Sequence, residues 1–431
     1  MGYIKLFNTN AAYQDYINDD PLLPNVSLVE ENESIFYVRS SENKNEYLIL
    51  KYNVTSTENE TNIFNNYVST ALSNVETMMI DGEEVTPVTK YTFSQTGEHE
   101  VKIKLTDGLI SNNIFSNCSN LTSVIIPDNV TSIGDYAFNY CSELTDVTIP
   151  ESVTSMGVYA FCGCANLTEI VIPNSIPEIK NLTFCNCTNL TDVTIPESVT
   201  NIGNRVFENC TSLVNITLPS VESIGENAFQ RCGALEEINL GTALKTISMY
   251  AFNYCENLIK ADLPESLETI GVYAFCGCKK LLDVNIPTSV TSIGNYAFAD
   301  CHGMATLTIG NGITTIENNT FQNCVGLENL IIPESVTNIK DYAFGGCAGL
   351  KNLTIGSKVT TLGDAFIQCT SLETITALPT TAPSIKTTTF ASAKTNGILY
   401  VPKGSTSSYS SWLATNGPYL GYYGWTIQEL P

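Results

Sequence analysis

The residues able to do chemistry in this 431-residue chain are unevenly supplied: fifteen cysteines and 44 carboxylates, but only two histidines, His99 and His302. Catalysis by a nucleophile needs a base within reach, and hydrolases and phosphate enzymes of the common kinds carry HExxH, GxSxG or glycine-rich signatures. None of these occurs, and neither histidine stands at motif spacing from a nucleophile. His302 occupies a position that other copies of the same phrase fill with Ser119, Ser142, Ala165 and Thr188, as expected of an exposed turn. Three CxC pairs, Cys162/Cys164, Cys185/Cys187 and Cys276/Cys278, raise the question of zinc, because two pairs one period apart could supply four thiolates. The second member of each pair belongs to a recurring cysteine column, however, so buried free thiols are expected in preference to a metal. Cys162 and Cys185 stand one period apart, within disulfide reach if their Cβ directions agree. The chemistry on offer is therefore that of a non-enzymatic protein with no metal or cofactor.

The cysteine column leads back to the elements. Cys118, Cys141, Cys164, Cys187, Cys210, Cys232, Cys255, Cys278, Cys301, Cys324, Cys347 and Cys369 each follow by three residues an anchor phenylalanine, from Phe115 and Phe138 to Phe344 and Phe366. The step is 23 residues and twice drops to 22. A fixed period of this length is the signature of a solenoid, in which each coil buries its apolar side chains only by stacking on its neighbours. A residue recurring at one phase occupies one inward site, where free cysteine behaves as a small hydrophobe. In the copy LTDVTIPESVTSMGVYAFCGC, Leu144, Val147 and Ile149 face inward from a short strand that Pro150 ends. Val153 and Met156 do so from a second extended piece closed by Gly157, and Tyr159 to Phe161 form a tight turn or a single 3₁₀ turn.

The same grid assigns the surface. Asp146, Glu169, Asp192, Glu237 and Asp283 fall in one stripe on the strand face, with Asp262 beside it. Like charges one strand spacing apart repel each other. The stripe is either a solvated face that keeps the array soluble or a recognition surface for a basic protein patch; calcium is a lesser alternative. A column of tyrosines, Tyr136, Tyr159, Tyr250, Tyr273, Tyr296 and Tyr342, fits stacking between coils better than a sugar-binding strip.

The flanks divide the chain further. Residues 1–45 form a mixed segment, with helical spacing over Ala11–Asp19 and two strands, VSLV and SIFYV. Residues 46–108 suggest a small β-sandwich-like module with turns at Asp81-Gly82 and Thr96-Gly97. Val101 and Ile103 fall on the repeat grid, so the strand Glu100–Leu105 is expected to serve both units and cap the first coil. The solenoid covers residues 109–375. Residues 376–431 form a C-terminal cap with a strand over Tyr400–Pro402 and a helix over Ser405–Trp412. A formal charge of -24 disfavours nucleic acid as a partner. No apolar run reaches the length of a signal peptide core or a membrane span, so a soluble chain without membrane insertion is expected.

The phrase IPxSVTSIGxYAFxxCxxLTxV, held in phase from about Leu109 to Phe390, resembles the bacterial leucine-rich repeat type called BspA-like, or Treponema pallidum type. The resemblance implies a mainly β, right-handed leucine-rich-repeat solenoid of about twelve coils. It also implies an adhesion or binding function, since BspA-like relatives include surface adhesins that bind host proteins; the partner would be a protein or a host or bacterial surface receptor. The opening, GYIKLFNTNAAYQDYI followed by PNVSLV, is similar to openings of proteins from gut Bacteroidales and their phages. That similarity implies the alternative of a phage virion fibre or receptor-binding protein. The expected location is accordingly the cell surface or a virion.

Overall fold

Each coil is built from three short stretches of backbone, and each stretch stacks on its counterpart in the next coil, hydrogen-bonded to it over most of the array. The computed structural model describes Val26–Glu31, Ser34–Arg39, residues 46–65 and residues 72–431. The helix expected over Ala11–Asp19 lies outside them, whereas Val26–Glu31 (β1) and Ser34–Arg39 (β2) pair antiparallel. In the coil of Asp146, the strand Asp146–Thr148 alternates exposed, buried, exposed, and the two-residue strand Ser155–Met156 turns Met156 inward. Strands of the first kind stack in parallel register, as Glu169 opposite Asp192 shows, and so do those of the second kind, as Ile202 opposite Ile224 shows.

The third stretch is the phenylalanine turn. It is a tight turn with left-handed residues on both sides of the anchor: Tyr159 has φ 58° and Gly163 φ 75° around Phe161. Alternate amides across it donate to the following coil, Tyr136 to Val158, Phe138 to Ala160 and Tyr140 to Cys162, at 2.7–2.9 Å. The turns thus form a third ladder, which leaves the buried backbone paired where neither strand runs. Inside it the phenylalanine rings stack nearly parallel, from Phe64 through the twelve anchors to Phe390, with centroids 5.0–5.8 Å apart. The result is a β-solenoid of about thirteen turns.

At the N-terminal junction the structure departs from the repeat grid. Tyr47–Val54 (β3), Thr61–Asn62 (β4), Val75–Ile80 (β5), Glu83–Val85 (β6), Lys90–Tyr91 (β7) and Gly97–Leu105 (β8) precede the first coil, which starts with Leu109–Ile110 (β9) and Leu121–Ile125 (β10). The strand that caps the array is β3, not β8: Leu50 lies antiparallel to Val124 on one side and to Val101 on the other. β8 therefore runs parallel to β10 with β3 inserted between them. The repeat grid carries the direction and phase of β8 but does not encode β3, which enters from some seventy residues earlier. One sheet, in the order β6-β5-β8-β3-β10 and then Asp146–Thr148, joins this region to the solenoid, where the sequence suggested a separate sandwich. Asp81 and Gly82 make the expected hairpin turn, both at positive φ. Tyr91 pairs with Thr61 rather than folding back on β8, so Thr96-Gly97 does not close a hairpin.

Both ends of the aromatic stack are covered. Phe64 stacks on Phe115 at 5.4 Å, and the Ile63 carbonyl accepts the Cys118 thiol at 3.6 Å. At the other end Thr374–Ala377, Ile398–Val401 and Thr426–Glu429 continue the long-strand sheet in parallel. The expected C-terminal helix is a 3₁₀ helix over Thr406–Leu413. It sets Trp412 against Phe390 at 5.3 Å, with the indole N–H donated to Pro383 O at 3.0 Å and the Tyr409 hydroxyl donated to Pro379 O at 2.6 Å.

Candidate functional site

The thiols are accounted for first. All fifteen are free and buried. From Cys141 to Cys369 each ladder thiol donates to the backbone carbonyl of the phenylalanine one coil earlier, Cys141 to Phe115 at 3.1 Å and Cys164 to Phe138 at 3.2 Å among them. Sulfur is therefore not only a small apolar filler: it gives those inward-facing carbonyls a second, weak donor. Burial pushes the thiols of Cys141, Cys164, Cys187 and Cys210 well above their ordinary range, and for Cys255 the value rises to about 12. Cys162 and Cys185 face each other from adjacent coils, and the Cys185 thiol is raised first by its hydrogen bond to Cys162 and then by burial. Cys276 has no such neighbour, and burial followed by the charge of Asp300 pushes it up to about 11. Thiols held this far into the neutral form are poor nucleophiles and poor metal ligands.

The histidines also have structural surroundings. His99 shares a 2.7 Å contact with Asp81 and a 3.0 Å contact with Gln95 O, and its ring lies 4.3 Å from that of Phe93, so it pins the β5–β6 hairpin turn. His302 is exposed at a turn, 3.9 Å from Asp300.

The carboxylate stripe lies where the grid puts it: Asp146, Glu169, Asp192, Glu237, Asp262 and Asp283 are all exposed on the long-strand face. They differ in company. Lys260 stands between Glu237 and Asp262 and pairs with both, at 3.6 and 2.9 Å. Asp283 accepts the hydroxyl of Thr306. Asp146 receives only a 3.4 Å hydrogen bond from Ser123, and Glu169 and Asp192 lie side by side in register. No lysine or arginine occurs between Lys104 and Lys180. Among the described residues Asp146, Glu169 and Asp192 have no ion-pair partner, whereas later coils carry several, such as Lys245–Glu222 and Lys351–Glu328. Val171 and Thr194 lie next to them on the same face, Val171 more than half exposed. Over these coils the face offers carboxylates, threonine hydroxyls and the exposed Val171 side chain on short parallel strands.

The tyrosine column stacks as the spacing suggests, with ring centroids 4.6 Å apart for Tyr136–Tyr159 and 4.9 Å for Tyr250–Tyr273. Two features were not anticipated from the sequence. One is the left-handed backbone beside each phenylalanine, for which a signal exists in the asparagine and glycine of Asn117, Gly163, Asn186, Asn209, Gly277 and Gly346. The other is Arg231, an exposed cation in that column.

A family model agrees with this architecture: described as "BspA type Leucine rich repeat region (6 copies)", it matches residues 61–191, 105–233, 178–305 and 291–411. Among solved structures, a leucine rich cell surface protein from Faecalibacterium prausnitzii is 30% identical, with 64% of this chain and 84% of that one covered and a TM-score of 0.40. A leucine-rich repeat protein from Bacteroides ovatus is 26% identical over 72% of this chain and 94% of its own, with a TM-score of 0.46. The T. pallidum leucine rich repeat protein is 29% identical over 42% of this chain and 77% of its own, with a TM-score of 0.34. No curated protein matches the chain. Among the described residues no helix is long and apolar enough to cross a membrane. With family-model matches running over more than half of its length, the chain belongs to the BspA type leucine-rich repeat family.

Proposed function

We propose that the protein is a recognition or adhesion protein whose long-strand face, over the coils of Asp146, Glu169 and Asp192, docks a basic patch on a protein partner such as a surface receptor. The observation that carries this reading is one unpaired, exposed carboxylate on each of three successive coils. Their mutual repulsion destabilises the free array slightly, and a cationic partner would relieve it while accelerating association. Glu237, Asp262 and Asp283 contribute less, because Lys260 and Thr306 already occupy them. In this reading residues 46–108 and 376–431 act as caps on the array at 109–375, and display at a surface is part of the role.

The test is a charge comparison at constant net change. The triple variant Asp146→Asn, Glu169→Gln, Asp192→Asn is set against Glu236→Gln, Glu265→Gln, Glu268→Gln, and association with immobilised basic host and bacterial surface proteins is followed at low and high salt. The early-coil variant is expected to lose most of the salt-sensitive association rate and the control little. Equal losses in both would reduce the stripe to a solubility device.

A further inference from the structure

We infer that the turn edge of the solenoid carries a second, independent binding site, for a sugar that bears a single carboxylate, in the cleft between Arg231 and Tyr254. The cleft measures about 400 Å³ and is lined by Arg231, Gly233, Tyr254, Glu256 and Asn257. Arg231 and Tyr254 hold the same left-handed position in successive coils, with φ 60° and 58°. The Tyr254 ring leans onto the next coil, where Gly277 has no side chain: a Cβ there would sit 2.8 Å from Cδ1 of the ring. One face of the phenol is thus packed and the ring remains 47% exposed beside the cleft. Gly233 keeps the floor open, since a Cβ there would meet nothing within 4 Å, and Asn257 is fixed by donating to the Gly233 carbonyl at 2.6 Å. Glu256 is already paired with Lys279 at 2.9 Å, whereas Arg231 has no ion-pair partner among the described residues.

The combination selects a ligand class. A free guanidinium presents a fork of donors matched to a carboxylate, an exposed aromatic ring packs against the C–H face of a pyranose, and an amide with a carboxylate suits hydroxyl groups. An acidic peptide fits less well, because Glu256 and a protein charge of -24 oppose several negative charges but tolerate one. The chain contains its own control. Tyr140 leans onto Gly163 in the same way and is 53% exposed, but the coil before it carries Asn117 in place of the arginine.

The full chain is titrated with glucuronate, with glucose and with a tetra-glutamate peptide, and binding is read by ligand-observed NMR. Saturable binding of glucuronate is expected, at least about tenfold tighter than glucose, as a charge-assisted contact provides. Arg231→Gln should remove that preference and Tyr254→Asn should weaken binding, asparagine being native to this left-handed column. Tyr140→Asn should change nothing, and unchanged melting temperatures would show that all three variants fold. Absence of saturable glucuronate binding, a preference for glucuronate over glucose that survives Arg231→Gln, or tighter binding of the peptide would each overturn the assignment.

Discussion

A cysteine three residues after each phenylalanine gives an inward-facing carbonyl its second donor. Phe184 O, for example, accepts the amide of Cys187 at 3.2 Å and the thiol of Cys210 at 3.3 Å. Sulfur suits the place because it is nearly apolar, fills more volume than a methyl group and still carries a proton. The consequence is a ranking that a purely apolar site would not give. In Cys210→Ala the carbonyl keeps one partner and the cost is the lost weak bond plus a small cavity, about 1–2 kcal/mol. In Cys210→Ser the hydroxyl inherits the acceptor, so serine is expected to be no more destabilising than alanine in chemical denaturation. A serine variant markedly less stable than the alanine variant would show that the thiol acts by apolar volume alone.

At the scale of the coil, the decisive element is the phenylalanine turn rather than either strand. Its two flanking columns are left-handed, and neither contains a valine, isoleucine or threonine at any position of positive φ. A β-branched side chain in that region crowds the following carbonyl, whereas glycine has no such conflict. Gln368, exposed and at φ 63°, isolates the backbone effect from packing. Gln368→Val is expected to cost about 1–2 kcal/mol, and Gln368→Gly to be neutral within about 0.5 kcal/mol. Superimposable denaturation curves for the two would mean that the turn relaxes without penalty.

For the whole molecule, stability is a chain of neighbour contacts closed at both ends. Fourteen phenylalanines stack from Phe64 to Phe390, and Trp412 covers the last of them. In such arrays each coil is supported only by its neighbours, so losing an end cover loosens the end before the middle. Trp412→Ala is expected to cost about 3–5 kcal/mol locally. Hydrogen exchange should then rise in Thr374–Ala377 and Ile398–Val401 while the coils around Phe229 keep their protection. Uniform acceleration along the array would instead show that it opens as one unit. Charge follows the same long axis: between Lys104 and Lys180 the chain has acids and no cation, whereas later coils pair several of theirs. That asymmetry gives the proposed docking face its place.

Period and phase were legible without coordinates, because a residue type that returns every 23 positions must return to the same environment. The inward cysteines and phenylalanines, the Asp146–Thr148 class of strand and the exposed stripe all follow from that one regularity. Three things required the tertiary structure. The capping strand β3 comes from outside the repeat, and its pairing with β10 is a non-local choice that no local spacing encodes. Lys260 pairs with Glu237 at 3.6 Å and with Asp262 at 2.9 Å, a side-chain orientation that position in the repeat does not encode, and this narrows the proposed docking face to Asp146, Glu169 and Asp192. The cleft at Arg231 depends on a ring leaning across to a glycine in the next coil, a contact between positions 23 apart in sequence. Repetition fixes where each side chain starts, and packing between coils decides what it meets.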